Sequence, residues 1–152
     1  NDLRKRIEEN YLKKTGTLGQ YEFNVVMSKL RKEWVKDEMS LGEFEKSKYV
    51  IENISINKDR PGEKDFYMGE FYKLMYLKEK NKKKKSEYFD KAQRHLTISI
   101  EVDEKFPFPY LSLGSLIIEE YPNEGKNFFK KFVELEPNSP YSKLIKMEYL
   151  NE

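Results

Sequence analysis

The sequence predicts an all-α fold made of antiparallel helix hairpins, and three observations support this prediction. Apolar residues recur at intervals of three and four, as on one face of a helix, and no stretch alternates convincingly at the period of two that strands show. Proline and glycine are sparse and cluster at a few points, which divide the chain into segments. These segments are rich in Lys, Glu, Leu and Met, which are good helix formers.

The composition is that of one folded domain. The chain has 152 residues, of which 38% are hydrophobic, 37% charged and 14% aromatic, whereas disordered chains are poor in aromatic residues. A chain of this length can fold without a metal or a crosslink. The net charge of +2 indicates no general affinity for nucleic acid or membranes. The absence of cysteine excludes disulfides, thiolate metal sites and cysteine nucleophiles.

About eight helices are predicted between the breaks. They cover residues 2–14, 20–38, 43–56, 63–80, 86–103, 108–121, 123–135 and 140–151. Apolar stripes at helical spacing mark four of them: Met27, Leu30 and Trp34 in the second, Val50, Ile51 and Ile54 in the third, Phe71, Leu74 and Met75 in the fourth, and Phe128, Phe129, Phe132 and Leu135 in the seventh.

Start signals support several of these boundaries. Ser40 is followed three residues later by Glu43, which is the spacing of a capping box. Pro107 and Pro109 suit a first helical turn, because the N–H that proline lacks has no partner there. The Asn-Ser-Pro sequence at 138–140 combines a cap with a proline at the first helical position. Because the connections are short, neighbouring helices are expected to be antiparallel.

The helix pairs also recur as an internal repeat. The last pair reads Tyr110-x-x-Leu113-Gly114-x-x-Ile117, then Gly125-x-x-x-Phe129, then Pro137. In the preceding pair, Met68-Gly69 correspond to Leu113-Gly114, and Ala92 and Leu96 correspond to Gly125 and Phe129. This pattern resembles the tetratricopeptide repeat, which has a period of about 34 residues. Relative to that repeat, the preceding pair carries an insertion of about 11 residues at Lys78–Ser86.

The resemblance implies a single domain over 1–152, with helix hairpins stacked as a short right-handed superhelix. Repeat units are assigned to 28–61, 62–106 and 107–139, between a helical extension at 1–27 and a capping helix at 140–152. The small residues are expected where paired helices approach most closely; they are Ser47, Gly69, Ala92, Gly114 and Gly125. An irregular helical bundle with glycines near its helix ends is the alternative.

The sequence offers little catalytic chemistry, so we expect neither an enzyme nor a cofactor. His95 is the only histidine, and zinc sites need three or four ligands, so a surface or half-buried helix position is expected for it. The segment Gly16–Gly19 lacks the Lys-Ser/Thr that follows in a phosphate-binding loop. Ser115 lacks the preceding strand and the second glycine of a nucleophile elbow.

Proteins that this sequence resembles usually act as scaffolds, whose first helices line a concave groove. The resemblance therefore implies a non-enzymatic scaffold that binds a protein or peptide segment in this groove or self-associates, for example as a homodimer. The groove positions correspond to Phe66, Glu70, Lys73, Phe108, Leu111, Ser115, Ile118 and Tyr141. We expect Phe66, Phe108 and Leu111 to be partly accessible. For Phe108 and Leu111 the alternative is core packing against the last helix.

The lysine run Lys78–Lys85 supports an alternative function, in which the chain binds a nucleic acid or a membrane surface. Nucleic acid is not the expected partner, because no aromatic residue for base stacking is interleaved in the run before Tyr88. A solvated loop that lengthens a hairpin is the preferred interpretation.

The membrane and the compartment are only loosely constrained by the sequence. The longest uncharged stretch, Phe106–Ile118, has 13 residues and is too short to span a bilayer. The compartment stays open, with the cytoplasm slightly favoured, and a start at Asn1 is compatible with a removed signal or anchor. The abundance of Lys, Ile, Asn and Tyr is typical of an AT-rich, bacterial genome.

Overall fold

The computed structural model describes residues 48–49, 51–53 and 59–151. Throughout these ranges the regular secondary structure is helical, without a strand, so the all-α prediction is confirmed for them. Five helices follow one another: α1 (Glu63–Lys78), α2 (Lys82–Val102), α3 (Phe108–Ile117), α4 (Pro122–Leu135) and α5 (Pro140–Glu148). The predicted helices 2–14 and 20–38 lie outside the described residues, as does most of 43–56.

Helix α2 begins four residues earlier than predicted. Asn81 caps it by accepting a hydrogen bond at Oδ1 from the backbone N–H of Lys84, at 3.0 Å. The four lysines that follow the cap are good helix formers. The prediction of a solvated loop over Lys78–Lys85 is therefore wrong, since residues 79–81 alone connect α1 to α2.

Helix α3 ends at Ile117, four residues before its predicted end. Residues 118–120 form a turn, which a backbone hydrogen bond of 2.7 Å from the N–H of Tyr121 to the carbonyl of Ile117 closes. Pro122 explains the early stop, because a residue that precedes proline is pushed away from helical geometry. Tyr121 accordingly has φ −130° and ψ 72°.

Each helix packs on the next one along the chain, and α1 also contacts α3. In two of these pairs, a glycine of one helix lies directly against a side chain of the other. A Cβ atom added to Gly69 of α1 would lie 2.6 Å from Cγ of Leu96 in α2, and one added to Gly114 of α3 would lie 2.6 Å from Cδ1 of Phe129 in α4. Both glycines thus stand where paired helices approach closely, as the sequence predicts.

Candidate interaction surfaces

The side chains predicted to line a concave groove are mostly buried. Phe66 and Leu111 are 0% exposed, Tyr141 is 2% exposed and Phe108 is 6% exposed. The prediction that Phe66, Phe108 and Leu111 are partly accessible is therefore wrong. These side chains belong to the hydrophobic core.

A row of aromatic rings accounts for this burial. The ring of Phe66 lies 5.3 Å from that of Phe106, which lies 6.3 Å from that of Phe108. Phe108 in turn lies 6.1 Å from Phe132 of α4. Because aromatic side chains bury large apolar areas, this row joins α1, the α2–α3 connection, α3 and α4 into one core. The core interpretation of Phe108 thus agrees with the structure, and the rings that it contacts here belong to α4 and to the α2–α3 connection.

The polar groove residues form a buried cluster between α1 and α3. Lys73 Nζ donates a hydrogen bond to the carbonyl of Ser112 at 3.1 Å and another to the hydroxyl of Ser115. The Ser112 hydroxyl donates to Oε1 of Glu70. Glu70 is 1% exposed and Lys73 5%, so neither is available to a partner in this conformation. Ser115 and Ile118 are half-buried and keep some accessible surface.

His95 lies in a contact between α2 and α1. Its Nδ1 atom is 2.9 Å from Oδ1 of Asp65, and its ring stacks on Tyr72 with 5.7 Å between the ring centres. His95 is half-buried, as expected for it. Within the described ranges no group of three or more His, Cys, Asp and Glu side chains could hold a metal ion.

A concave surface lies where α1 ends and α2 begins. A cleft of about 230 Å³, here named the lysine cleft, is lined by Tyr76, Lys82, Lys85, Ser86, Phe89 and Glu120. Lys85 Nζ donates to the carbonyl of Tyr76 at 3.1 Å and lies 4.6 Å from the centre of its ring. Phe89 meets the same ring edge-on at 5.3 Å. Burial raises the pKa of the Tyr76 hydroxyl, and Glu120 and Glu119 raise it further.

Several lysines beside this cleft point into solvent. Lys82, Lys83 and Lys84 are exposed, and none of the three takes part in an ion pair within the described part of the chain. The first turn of α2 contains no acidic residue. The sequence revealed the run of lysines, but only the packing of α1, α2 and the α3–α4 connection places part of it around a cleft.

The opposite end of α2 is acidic, and sequence reasoning missed it as a surface. Glu101, Val102 and Glu104 are exposed there and are named the acidic end, and the exposed Lys105 follows them. Val102 has 50% of its surface accessible. Asp103 lies between them but turns inward, with its carboxylate 4.0 Å from Arg60. The sequence Glu-Val-Asp-Glu at the end of a predicted helix could have indicated this acidic surface.

Exposed apolar side chains lie on α5 and beside the lysine cleft. Met147 is 62% exposed and Leu144 38%, while Tyr141 and Ile145 of the same helix are buried. Tyr121, next to Glu120, is 49% exposed. An apolar patch at Phe108, Leu111 and Ile118 was expected; the exposed apolar side chains of this end are instead those of α5.

Comparisons with known protein families, with curated proteins and with solved structures found no match to this chain. In the described part of the chain, no helix combines the length and the apolar character that crossing a membrane requires.

Proposed function

We propose that the protein is a non-enzymatic interaction scaffold made of tetratricopeptide-like helix pairs, which binds a segment of a partner protein or a second copy of itself. The observation that supports this proposal best is one contact that recurs in two consecutive helix pairs. Gly69 of α1 lies against Leu96 of α2, and Gly114 of α3 lies against Phe129 of α4. The two glycines occupy corresponding positions in the repeat alignment, and so do the two residues that they contact.

The contacts between the pairs also favour a stacked arrangement. Helix α2 contacts α3, and the first helices of the two pairs, α1 and α3, contact each other. Lys73 bridges these first helices through Ser112 and Ser115. Stacked helix pairs present extended surfaces, and proteins of this architecture usually bind other proteins. The step from architecture to function is a fold-level analogy.

The burial of Phe66, Phe108 and Leu111 moves the proposed docking surface away from these positions. The accessible candidates are Leu144 and Met147 on α5, together with the two charged ends of α2. A scaffold with such surfaces binds a partner at the ends of α2 and along α5. The buried polar cluster of Glu70 and Lys73 has a different role, which is to hold the first helices of the two pairs together.

The intact chain, immobilised as bait, tests the scaffold function. A control bait carries Gly114→Leu, whose added side chain cannot fit against Phe129 and therefore disrupts the stacking of α3 on α4. A true partner is retained by the wild-type bait, is lost from the control bait, and binds again as a purified protein with a defined stoichiometry in calorimetry. If every retained protein fails to bind again when purified, and the purified chain does not bind a second copy of itself, the scaffold proposal is wrong.

The lysine run favours a second candidate, a basic surface for nucleic acid or anionic lipid. Exposed Lys82, Lys83 and Lys84 are the observation behind it. Two features argue against it: the Tyr76 ring already contacts Lys85 and Phe89, and the Glu120 carboxylate would repel phosphates.

Binding of a single-stranded RNA oligonucleotide and of phosphatidylserine vesicles tests this second candidate. It predicts affinities that fall steeply with salt. It is excluded if a variant in which Lys80, Lys82, Lys83 and Lys84 are all changed to Ser binds both probes as well as the wild type does.

A further inference from the structure

The charges of α2 are reversed at both ends relative to those that stabilise a helix. A helix end carries a partial positive charge at its N-terminus and a partial negative charge at its C-terminus, so acids favour the first turn and bases the last. Helix α2 instead begins with four lysines and has no basic residue in its last turn, where Glu101 stands. Both ends therefore cost stability in the isolated chain.

These two ends cannot neutralise each other within one copy of the chain. Helix α2 has 21 residues, so its ends lie about 30 Å apart at the usual helical rise. Salt screens charges over about 10 Å at moderate ionic strength. The opposite charges of the lysines and the acidic end can therefore attract each other only between two molecules.

The two ends are also complementary in their apolar groups. The lysine cleft is concave, and its wall combines the apolar ring of Phe89 with Lys82. The acidic end presents an exposed apolar side chain, Val102, which lies in the sequence between the exposed residues Glu101 and Glu104. An aliphatic side chain suits the apolar wall, and the flanking carboxylates suit the lysines at its edge.

We propose that copies of the chain associate head to tail, with the acidic end of α2 in one copy seated in the lysine cleft of the next. Val102 packs on Phe89, and Glu101 and Glu104 face Lys82 and Lys83. Because each surface meets a different surface, the association is heterologous and builds open chains instead of a closed dimer. This inference rests on the self-association included in the proposed function and names the surfaces and the partner.

Glu120 makes the cleft selective. Its carboxylate lines the wall beside Lys82 and Lys85, and so it opposes ligands that carry dense negative charge, such as a phosphate backbone. A protein end with two carboxylates around an apolar side chain meets less repulsion. Glu120→Gln is accordingly expected to strengthen the association about two- to fivefold.

Sedimentation of purified variants tests the inference. The wild type is expected to associate at low salt as its concentration rises from roughly micromolar to millimolar, and the association constant is expected to fall about tenfold or more in high salt. The cleft variant Lys82→Glu/Lys83→Glu and the end variant Glu101→Lys/Glu104→Lys should each be monomeric alone. Circular dichroism checks that both remain helical.

Mixing the two variants separates specific docking from a general charge effect. The cleft variant keeps a normal acidic end, and the end variant keeps a normal cleft. The two altered surfaces also carry opposite charges, so an equimolar mixture is expected to form dimers and longer chains although neither variant associates alone. A matched control, Lys130→Glu/Lys131→Glu, makes the same charge change on the exposed side of α4 and should associate like the wild type.

Three outcomes would overturn the inference: a wild type that stays monomeric at low salt, a mixture without a dimer, or a control that loses association as fully as the cleft variant. Cleft-dependent binding of RNA or phosphatidylserine vesicles by a monomeric wild type would assign the lysines to those ligands instead. A monomeric wild type leaves the scaffold proposal intact, since that proposal is tested by binding of another protein.

Discussion

The absence of a side chain at two glycines allows paired helices of this protein to approach each other closely. A glycine inside a helix costs about 1 kcal/mol relative to alanine, yet Gly69 and Gly114 stand in the interiors of α1 and α3. Each leaves the space that a bulky side chain of the paired helix fills, Leu96 in one pair and Phe129 in the other. The lost helix propensity is offset by apolar burial, because both bulky side chains are almost completely buried.

Gly69→Ala is expected to lower the free energy of unfolding by about 1–3 kcal/mol, because the new methyl group overlaps Leu96. The measurement is urea unfolding followed by circular dichroism. Leu96→Ala relieves the overlap, so the double variant should be more stable than the sum of the two single changes predicts, by about 1 kcal/mol. A Gly69→Ala protein that is more stable than the wild type would contradict this account.

The buried polar cluster supplies a second prediction at this scale. Lys73→Met removes the ammonium that bonds Ser112 and Ser115 and leaves buried Glu70 with less compensation, so a loss of about 3–5 kcal/mol is expected in urea unfolding. Exposed Lys130 is the matched control, and Lys130→Met should change stability by less than about 0.5 kcal/mol. Equal losses in both variants would show that the cluster contributes nothing.

At the scale of one element, α2 shows a conflict between stability and surface charge. Asn81 caps the helix well, but the lysines after it oppose the partial positive charge of the helix N-terminus. The exposed carboxylate of Glu101 opposes the partial negative charge at the other end. A helix selected only for stability would carry the reverse charges, so this pattern is consistent with a role for both ends in binding.

Lys82→Glu is expected to stabilise the chain by about 0.3–1 kcal/mol, because a carboxylate in the first turn interacts favourably with the helix N-terminus. Thermal unfolding at low salt measures the gain, which should shrink in high salt. Asn81→Ala should act in the opposite direction and cost about 0.5–2 kcal/mol through loss of the cap. A destabilising Lys82→Glu would indicate that Lys82 makes a stabilising contact that the helix geometry does not reveal.

At the scale of the whole molecule, one buried and two half-buried tyrosines couple folding to alkaline pH. Burial, followed by nearby carboxylates, raises the pKa of Tyr76, Tyr110 and Tyr149 above the ordinary value of 10.0. The folded chain therefore holds these protons more tightly than the unfolded chain does. The resulting stabilisation is complete below pH 10.0 and is lost as the pH rises through the raised pKa values.

The free energy of unfolding should accordingly be nearly constant between about pH 7 and about pH 9 and fall above about pH 10. Urea unfolding across this range, with tyrosinate absorbance recorded in parallel, measures the fall. Lysines lose their charge in the same range, so the control is Tyr76→Phe/Tyr149→Phe, whose stability should fall less steeply. An unchanged slope in that variant would assign the alkaline loss to the lysines.

The local features of the fold could be predicted from sequence because they depend on near neighbours along the chain. The starts of α1, α3 and α5 follow from Pro-Gly and proline breaks and match the structure, and that of α4 differs by one residue. The glycine contacts followed from a repeat pattern. The start of α2 was missed because the lysine run was assigned to a loop, although Asn81 offered a cap and lysine favours helices.

The sequence by itself determined the helical class of the described residues, most helix boundaries and the positions at which paired helices approach, since propensity, capping and small-residue spacing act locally. The tertiary structure alone decided which apolar residues stay exposed. Phe66 and Val102 are both apolar residues on helices, yet Phe66 is enclosed and lies against the ring of Phe106, whereas Val102 faces solvent. That difference depends on distant parts of the chain, and so do the walls of the lysine cleft.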